Sequence, residues 1–206
     1  YATDLDVVVV AAAGNESSSS VYYPARLDET IGVAAAGRNG LPAAFSNRGS
    51  SIDLIAPGVG VLSAQPGGGY GNLSGTSMAA PHVAAAAALV RARHPEYSRL
   101  QVLGLLVAAA ADVGTPGWDE TTGHGLLQLP APSATAALAI AFRSPPTDRP
   151  IRGAFVDVEI DYEASVPADY HIDWGPGRSP QSWNKLDSGS VTPGAGVLST
   201  LWPAQS

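Results

Sequence analysis

"YGNLSGTSMAAPHVAAAAALVRARHP", residues 70–95, places one serine, Ser77, between a Gly-Thr pair and a run of small residues that reads as a helix. A serine hydroxyl is a weak nucleophile until a base takes its proton and something stabilises the oxyanion its attack creates. Position meets part of the second need, because free backbone N–H groups and the positive end of the dipole at a helix start favour developing negative charge. Gly75 lets a substrate backbone approach closely. Pro81 is expected in the first turn, where its missing N–H would be unpaired anyway. A serine that merely caps a helix has the same local context, so the choice between cap and nucleophile depends on the rest of the chain.

The chain has 206 residues, with 11 basic against 18 acidic side chains and a net charge of −7, which argues against a nucleic-acid backbone or an anionic membrane as partner. Cysteine is absent, so no disulfide framework and no thiolate metal site is expected. No stretch reaches the roughly 18 apolar residues of a membrane span. The opening "YATDLDVVVVAAAGN" lacks the pattern of a signal peptide and enters a hydrophobic strand almost at once, so a natural upstream portion is expected before Tyr1.

Residues 7–12, "VVVVAA", form a β-branched run ending at Gly14, as in a parallel strand covered on both faces. "TIGVAAAG", "SIDLIAPG" and "GVGVLSA" repeat the pattern of a short apolar run stopped by glycine or proline. The small-residue run Ala79 to Arg93 suits a helix buried on nearly every face, stopped by Pro95. Ser98 and Gln101 form a capping-box pattern for a second helix with a stripe of Leu100, Leu103, Val107 and Ala110. Strands followed by helices define an α/β layer architecture. "FRSPPTDRPIRG", residues 142–153, reads as a linker, which divides the chain into residues 1–141 and 154–206. Beyond the linker Val156, Val158, Ile160 and Tyr162 alternate with acidic residues, and Tyr170, Ile172 and Trp174 alternate with His171 and Asp173, as in half-buried antiparallel strands. This segment is shorter than the roughly 100 residues of an immunoglobulin-type sandwich, so a partial β-sandwich is expected.

"GTSMAAPHVA" closely resembles the nucleophile motif of the subtilisin-like serine peptidases, the subtilases, and "AAAGNE" resembles their oxyanion-hole segment. The likeness continues through "YYPARLDETIGVAAAG", "FSNRGSSIDLIAPG" and "GHGLLQL" in the family's order, over residues 7 to about 130. It implies a parallel-sheet subtilisin-like fold lacking its N-terminal part, and a secreted or cell-surface serine endopeptidase acting on protein or peptide substrates. Ser77 is then the acyl-forming nucleophile and Asn15 the side-chain donor to the oxyanion, with the Ser77 N–H as second donor. A carboxamide just past a central parallel strand also lies where open α/β sheets bind ligands, and it donates without titrating. A simple turn role for Asn15 is the plainer alternative. Asn15 and Asn72 also match the glycosylation pattern, and a glycan on Asn15 would abolish a donor role.

The same resemblance implies that Ala12, Ala13 and Gly14 wall the pocket for the substrate residue preceding the scissile bond, with Glu16 at its rim and Tyr22 near its base. A tyrosine there argues against a deep aromatic-accepting pocket, and Glu16 would mildly favour basic side chains; a solvated loop charge is the alternative for Glu16. Tyr23-Pro24 falls where subtilisins place a cis peptide. The following loop implies a structural calcium or sodium site built from carbonyls of Ala25, Leu27 and Thr30 with the Asp53 carboxylate, while the chemistry itself requires no cofactor.

Such a peptidase also needs a histidine base oriented by a carboxylate, in the chain order Asp, His, Ser. Asp4 and Asp6 lack the expected context, so both partners are expected in an upstream segment and the chain alone is expected to be inactive. His82, His94, His124 and His171 read as structural. The segment after the linker loosely resembles fibronectin- or immunoglobulin-like repeats, with Trp174 and Trp183 as core anchors. Two rival readings are a binding scaffold that has lost its base and an adhesion or spacer protein whose β module is the working part.

Overall fold

The β-branched run near the start of the chain becomes strand β1 (Val9–Ala12), which pairs in parallel with β2 (Thr30–Ala36); β2 pairs in parallel with β3 (Leu54–Pro57). The structure, a computed structural model, describes residues 1–131, 138–144, 155–174 and 184–203. All seven residues of β2 are buried, as the central strand of a parallel sheet requires. The Cα register sets Val10 against Ile31 and Val33 against Leu54. Helix α1 (Thr76–Arg93) packs on all three strands, and segment 125–127 continues the sheet through the Leu127 N–H to Ile55 carbonyl bond at 2.8 Å.

Helix α1 begins at Thr76, one residue before the serine, with Gly75 as N-cap. Pro81 therefore lies inside the helix rather than in its first turn. Its ring stands where an N–H would bond the Ser77 carbonyl, four residues back. The helix also differs from the expectation of burial on nearly every face. One stripe (Thr76, Ala79, Val83, Ala86, Ala87, Val90) is buried, whereas Ala84, Ala85, Ala88 and Leu89 are exposed. Small apolar residues on all sides leave the choice of inward face to packing rather than to periodicity.

Helix α2 (Arg99–Ala109) carries the expected capping box: Ser98 Oγ accepts from the Gln101 N–H at 3.2 Å, and Gln101 Oε1 accepts from the Ser98 N–H at 3.1 Å. Its inward stripe is Leu100, Val102, Leu105 and Leu106 rather than Leu100, Leu103, Val107 and Ala110. The helix is apolar around most of its circumference, so two stripes were available to packing. An antiparallel hairpin, β4 (Val61–Ala64) with β5 (Tyr70–Leu73), leads the chain into Gly75.

The chain divides into two units, Tyr1–Pro132 and Ser133–Ser206. In the second unit β7 (Phe155–Ala164) lies between β6 (Leu138–Ser144) and β10 (Gly194–Pro203), both antiparallel to it. Strands β8 (Ala168–Trp174) and β9 (Asn184–Val191) form a second antiparallel pair. Val158, Ile160 and Ile172 are buried together, with Tyr170, Leu186 and Leu198 packed against them, so the predicted alternation holds here. Strand β6 pairs along β7, and residues 142–144 of the expected linker are in that strand. The remainder of the linker, the Trp174 side chain and Trp183 lie outside the described residues.

Candidate active site

The parallel strand β1 delivers its C-terminal end to the opening of α1, and there Asn15 meets Thr76. Asn15 Oδ1 accepts from the Thr76 backbone N–H at 2.8 Å and from the Thr76 hydroxyl at 3.1 Å. A backbone N–H is an obligatory donor, so the carboxamide atom facing it is the oxygen. The Nδ2 group is thereby the end of the carboxamide that Thr76 does not hold. Asn15 and Ser77 are both exposed, while Thr76 is fully buried and its Oγ1 also accepts from the Gly14 N–H at 3.2 Å. Ser77 follows Thr76 in the first turn of α1.

A second clamp lies behind the loop. Asn47 Oδ1 accepts from the Glu16 and Ser18 N–H groups at 2.9 and 3.0 Å, and its Nδ2 donates to the Ala13 carbonyl at 3.3 Å and to Glu16 Oε2 at 3.1 Å. Glu16 Oε2 also accepts from the Asn15 N–H at 2.7 Å. Gly14 has φ +111°, and a Cβ there would overlap the Asn47 carboxamide. Ser17, with φ 56°, completes the tight turn and donates from its hydroxyl to the Ala44 carbonyl at 2.8 Å. In the sequence Thr76 and Asn47 stand only as letters of the motifs around Ser77 and Phe45. Their signal was weak, because a buried polar side chain cannot be told from an exposed one by residue type.

The expected pocket residues are placed in two settings. Ala12 is partly buried, and Ala13 is fully buried with its carbonyl taken by Asn47 and by the Tyr22 N–H at 3.0 Å. Tyr22 is half exposed, at 50 %. Glu16 is exposed as a residue, yet its Oε2 is turned back into the loop.

The Tyr23–Pro24 bond is cis. In the loop that follows, Ala25 and Thr30 are buried, Leu27 is exposed, and the Leu27 carbonyl accepts from the Thr30 N–H at 3.0 Å. Asp53 Oδ2 accepts from the Gly32 N–H at 2.7 Å. Burial pushes the Asp53 carboxyl up to about 7, the Gly32 bond opposes that, and the negative charge of Asp28 adds to it. Among the described residues no three His, Cys, Asp or Glu side chains converge as a metal cluster.

The histidines are engaged elsewhere. His82 Nδ1 lies 2.8 Å from the Met78 carbonyl within α1, and His94 caps α1 and stacks on Tyr97 at 4.3 Å between centroids. His124 is exposed in a turn, its N–H bonded to the Asp53 carbonyl at 2.8 Å. His171 belongs to the second unit, its Nε2 3.5 Å from Asp173. Asp6 accepts from Arg91 Nη1 at 2.9 Å and from the Arg99 N–H at 2.6 Å, tying the start of the chain to both helices.

The end of strand β1 and the start of helix α1 thus meet through Asn15 and Thr76, the residue before Ser77. The chain belongs to the subtilase family, whose model, Peptidase_S8, matches residues 1–125. It is 46 % identical to subtilisin BL of Lederbergia lenta over 130 residues, 63 % of this chain and 47 % of that one. It is 42 % identical to alkaline elastase YaB of Bacillus sp. (strain YaB) over 134 residues, 65 % of this chain and 34 % of that one. Among solved structures, a lanthipeptide protease matches with TM-score 0.58 at 30 % identity, covering 63 % of this chain and 50 % of its own. A prenylagaramide maturation protease matches with TM-score 0.56 at 31 % identity, covering 62 % and 50 %. The chain thus spans half or less of the length of these relatives.

Proposed function

We propose that the chain carries the C-terminal part of the catalytic domain of a secreted subtilisin-like serine endopeptidase, followed by a partial β module, and supplies the nucleophile Ser77 and the oxyanion donor Asn15. The pinning of Asn15 Oδ1 by Thr76 carries this reading, since it leaves Nδ2 as a fixed donor at the opening of α1. Ser77 Oγ attacks the peptide carbonyl as its proton passes to a base; the carbonyl oxygen gains the negative charge and is met by Asn15 Nδ2 and the Ser77 N–H. Collapse expels the amine, which takes the proton, and water then hydrolyses the acyl-enzyme.

The base and its orienting carboxylate come, in this reading, from an upstream segment. Two features support that source. Strand β1 is paired on one edge only among the described residues. A groove of about 430 Å³ lies between the chain start and α1, lined by Val8, Val10, Ala84 and Ala88 and by the ion-paired Asp6 and Arg91, so that its lining is apolar apart from that pair. Apolar lining of that kind fits cover by further chain. Substrates are proteins or peptides, with Ala12, Ala13, Gly14, Glu16 and Tyr22 shaping the pocket. Ala25, Leu27, Thr30 and Asp53 would hold a calcium or sodium ion through oxygen atoms, the ligand type that hard cations take. The β strands of the second unit form an accessory module.

In the enzyme carrying this chain with its upstream segment, a fluorophosphonate should label Ser77, and Ser77→Ala should remove both labelling and peptide hydrolysis. Asn15→Leu should lower kcat roughly 10²- to 10³-fold with KM little changed, because the oxyanion exists only after attack. A raised KM with unchanged kcat would refute the role of Asn15.

A further inference from the structure

The Asn47 side chain is 1 % exposed, and its four bonding capacities are all spent within residues 13–18. Its backbone N–H adds a bond to the Gly14 carbonyl at 2.9 Å. One of these partners leads directly to the oxyanion donor. Glu16 Oε2, held by Asn47 Nδ2 at 3.1 Å, accepts from the Asn15 backbone N–H at 2.7 Å. Thr76 therefore holds the side-chain end of Asn15, and the Asn47–Glu16 pair holds its backbone end.

Two rotatable bonds separate the Asn15 Cα from its carboxamide, so a shift of the backbone end strains or displaces the carboxamide that Thr76 holds. We propose that Asn47 is a positioning residue of the oxyanion site, acting through the Glu16 carboxylate on the Asn15 backbone. The inference rests on the reading of Asn15 as oxyanion donor. Displacement of a catalytic group by about 1 Å can cost on the order of 10²-fold in rate, so a clamp of this kind has a measurable effect. It also gives Glu16 Oε2 a part inside the loop, where it accepts from the Asn15 N–H and from Asn47 Nδ2.

The test is a double-mutant cycle on kcat and KM in the enzyme that carries this chain with its upstream segment. Asn47→Asp is nearly isosteric: it keeps the acceptor facing the Glu16 and Ser18 N–H groups but sets a carboxylate oxygen against Glu16 Oε2. It should lower kcat about 10- to 100-fold while KM moves less than about threefold. With Asn15→Ala already present, the same change should lower kcat by less than about twofold, because there is no donor left to misplace. Glu16→Ala cuts the link at an exposed residue and should show the same dependence on Asn15, which keeps the cycle decisive if Asn47→Asp fails to fold. An equal loss of kcat in both backgrounds would overturn the inference and leave the role of Asn15 standing. If Asn15→Ala alone left kcat unchanged, the oxyanion reading would fail and take this inference with it.

Discussion

Asn15 Oδ1 takes two hydrogen bonds from one residue, the Thr76 backbone N–H at 2.8 Å and the Thr76 hydroxyl at 3.1 Å. The residue before Ser77 thereby holds the carboxamide of Asn15. The same hydroxyl accepts from the Gly14 N–H, so strand end, loop and helix start share one polar junction.

Thr76→Val keeps the shape and the backbone N–H but removes the hydroxyl. It should lower kcat about 3- to 30-fold, less than loss of Asn15 itself, and lower stability by about 1–3 kcal/mol because the Gly14 N–H loses its partner. Steady-state kinetics and a denaturant titration check both. An unchanged kcat would mean that the backbone N–H alone orients Asn15.

Gly14→Ala places a Cβ at φ +111° into the Asn47 carboxamide. The strain and overlap together should destabilise the protein by about 1–3 kcal/mol. The loop that carries Asn15 would shift, so kcat should fall too. Thermal unfolding paired with kinetics on the same preparation reads this out; a variant of wild-type stability would contradict the geometry.

Asp119 predicts part of the acid sensitivity. Burial tends to raise its carboxyl, but hydrogen bonds from the Thr122 hydroxyl and the Thr121 and Thr122 N–H groups outweigh burial and hold it below the ordinary value of 3.8. A lowered carboxyl stabilises the fold above the unfolded value and loses that contribution as pH falls through the folded value. Asp119→Asn should therefore lower stability at neutral pH and flatten its decline below about pH 4. Equal acid limbs for both proteins would exclude this role.

Asp53 with the carbonyls of Ala25, Leu27 and Thr30 predicts a cation effect. Adding calcium or sodium at fixed ionic strength should raise the Tm of the wild-type protein, by about 2.7 kcal/mol of stability at a hundredfold excess over Kd. Asp53→Asn should abolish the increment. If the variant responded as the wild type does, the ion would bind elsewhere.

The motif around Ser77, the strand run before Asn15 and the Ser98 capping box were legible because each is written in local sequence. Thr76 and Asn47 were not, since their role is a matter of long-range partners: Thr76 reaches back to Asn15, and Asn47 reaches back to residues 13–18. The inward stripe of α2 was misread for a related reason. Where several faces are apolar, neighbouring elements choose among them, and periodicity is silent. Strand β6 spans the expected end of the first domain at 141 and the start of the expected linker, and its sequence carries no mark of the strand it pairs with, β7.

A crystal structure of the fluorophosphonate adduct at Ser77, in the protein with its upstream segment, tests the central claim most directly. The phosphonyl oxygen should lie about 3 Å from both Asn15 Nδ2 and the Ser77 backbone N, the distances an oxyanion hole requires. Asn15 Oδ1 should still be bonded to Thr76. A phosphonyl oxygen turned to solvent, with Asn15 Nδ2 bonded elsewhere, would contradict the assignment of this site.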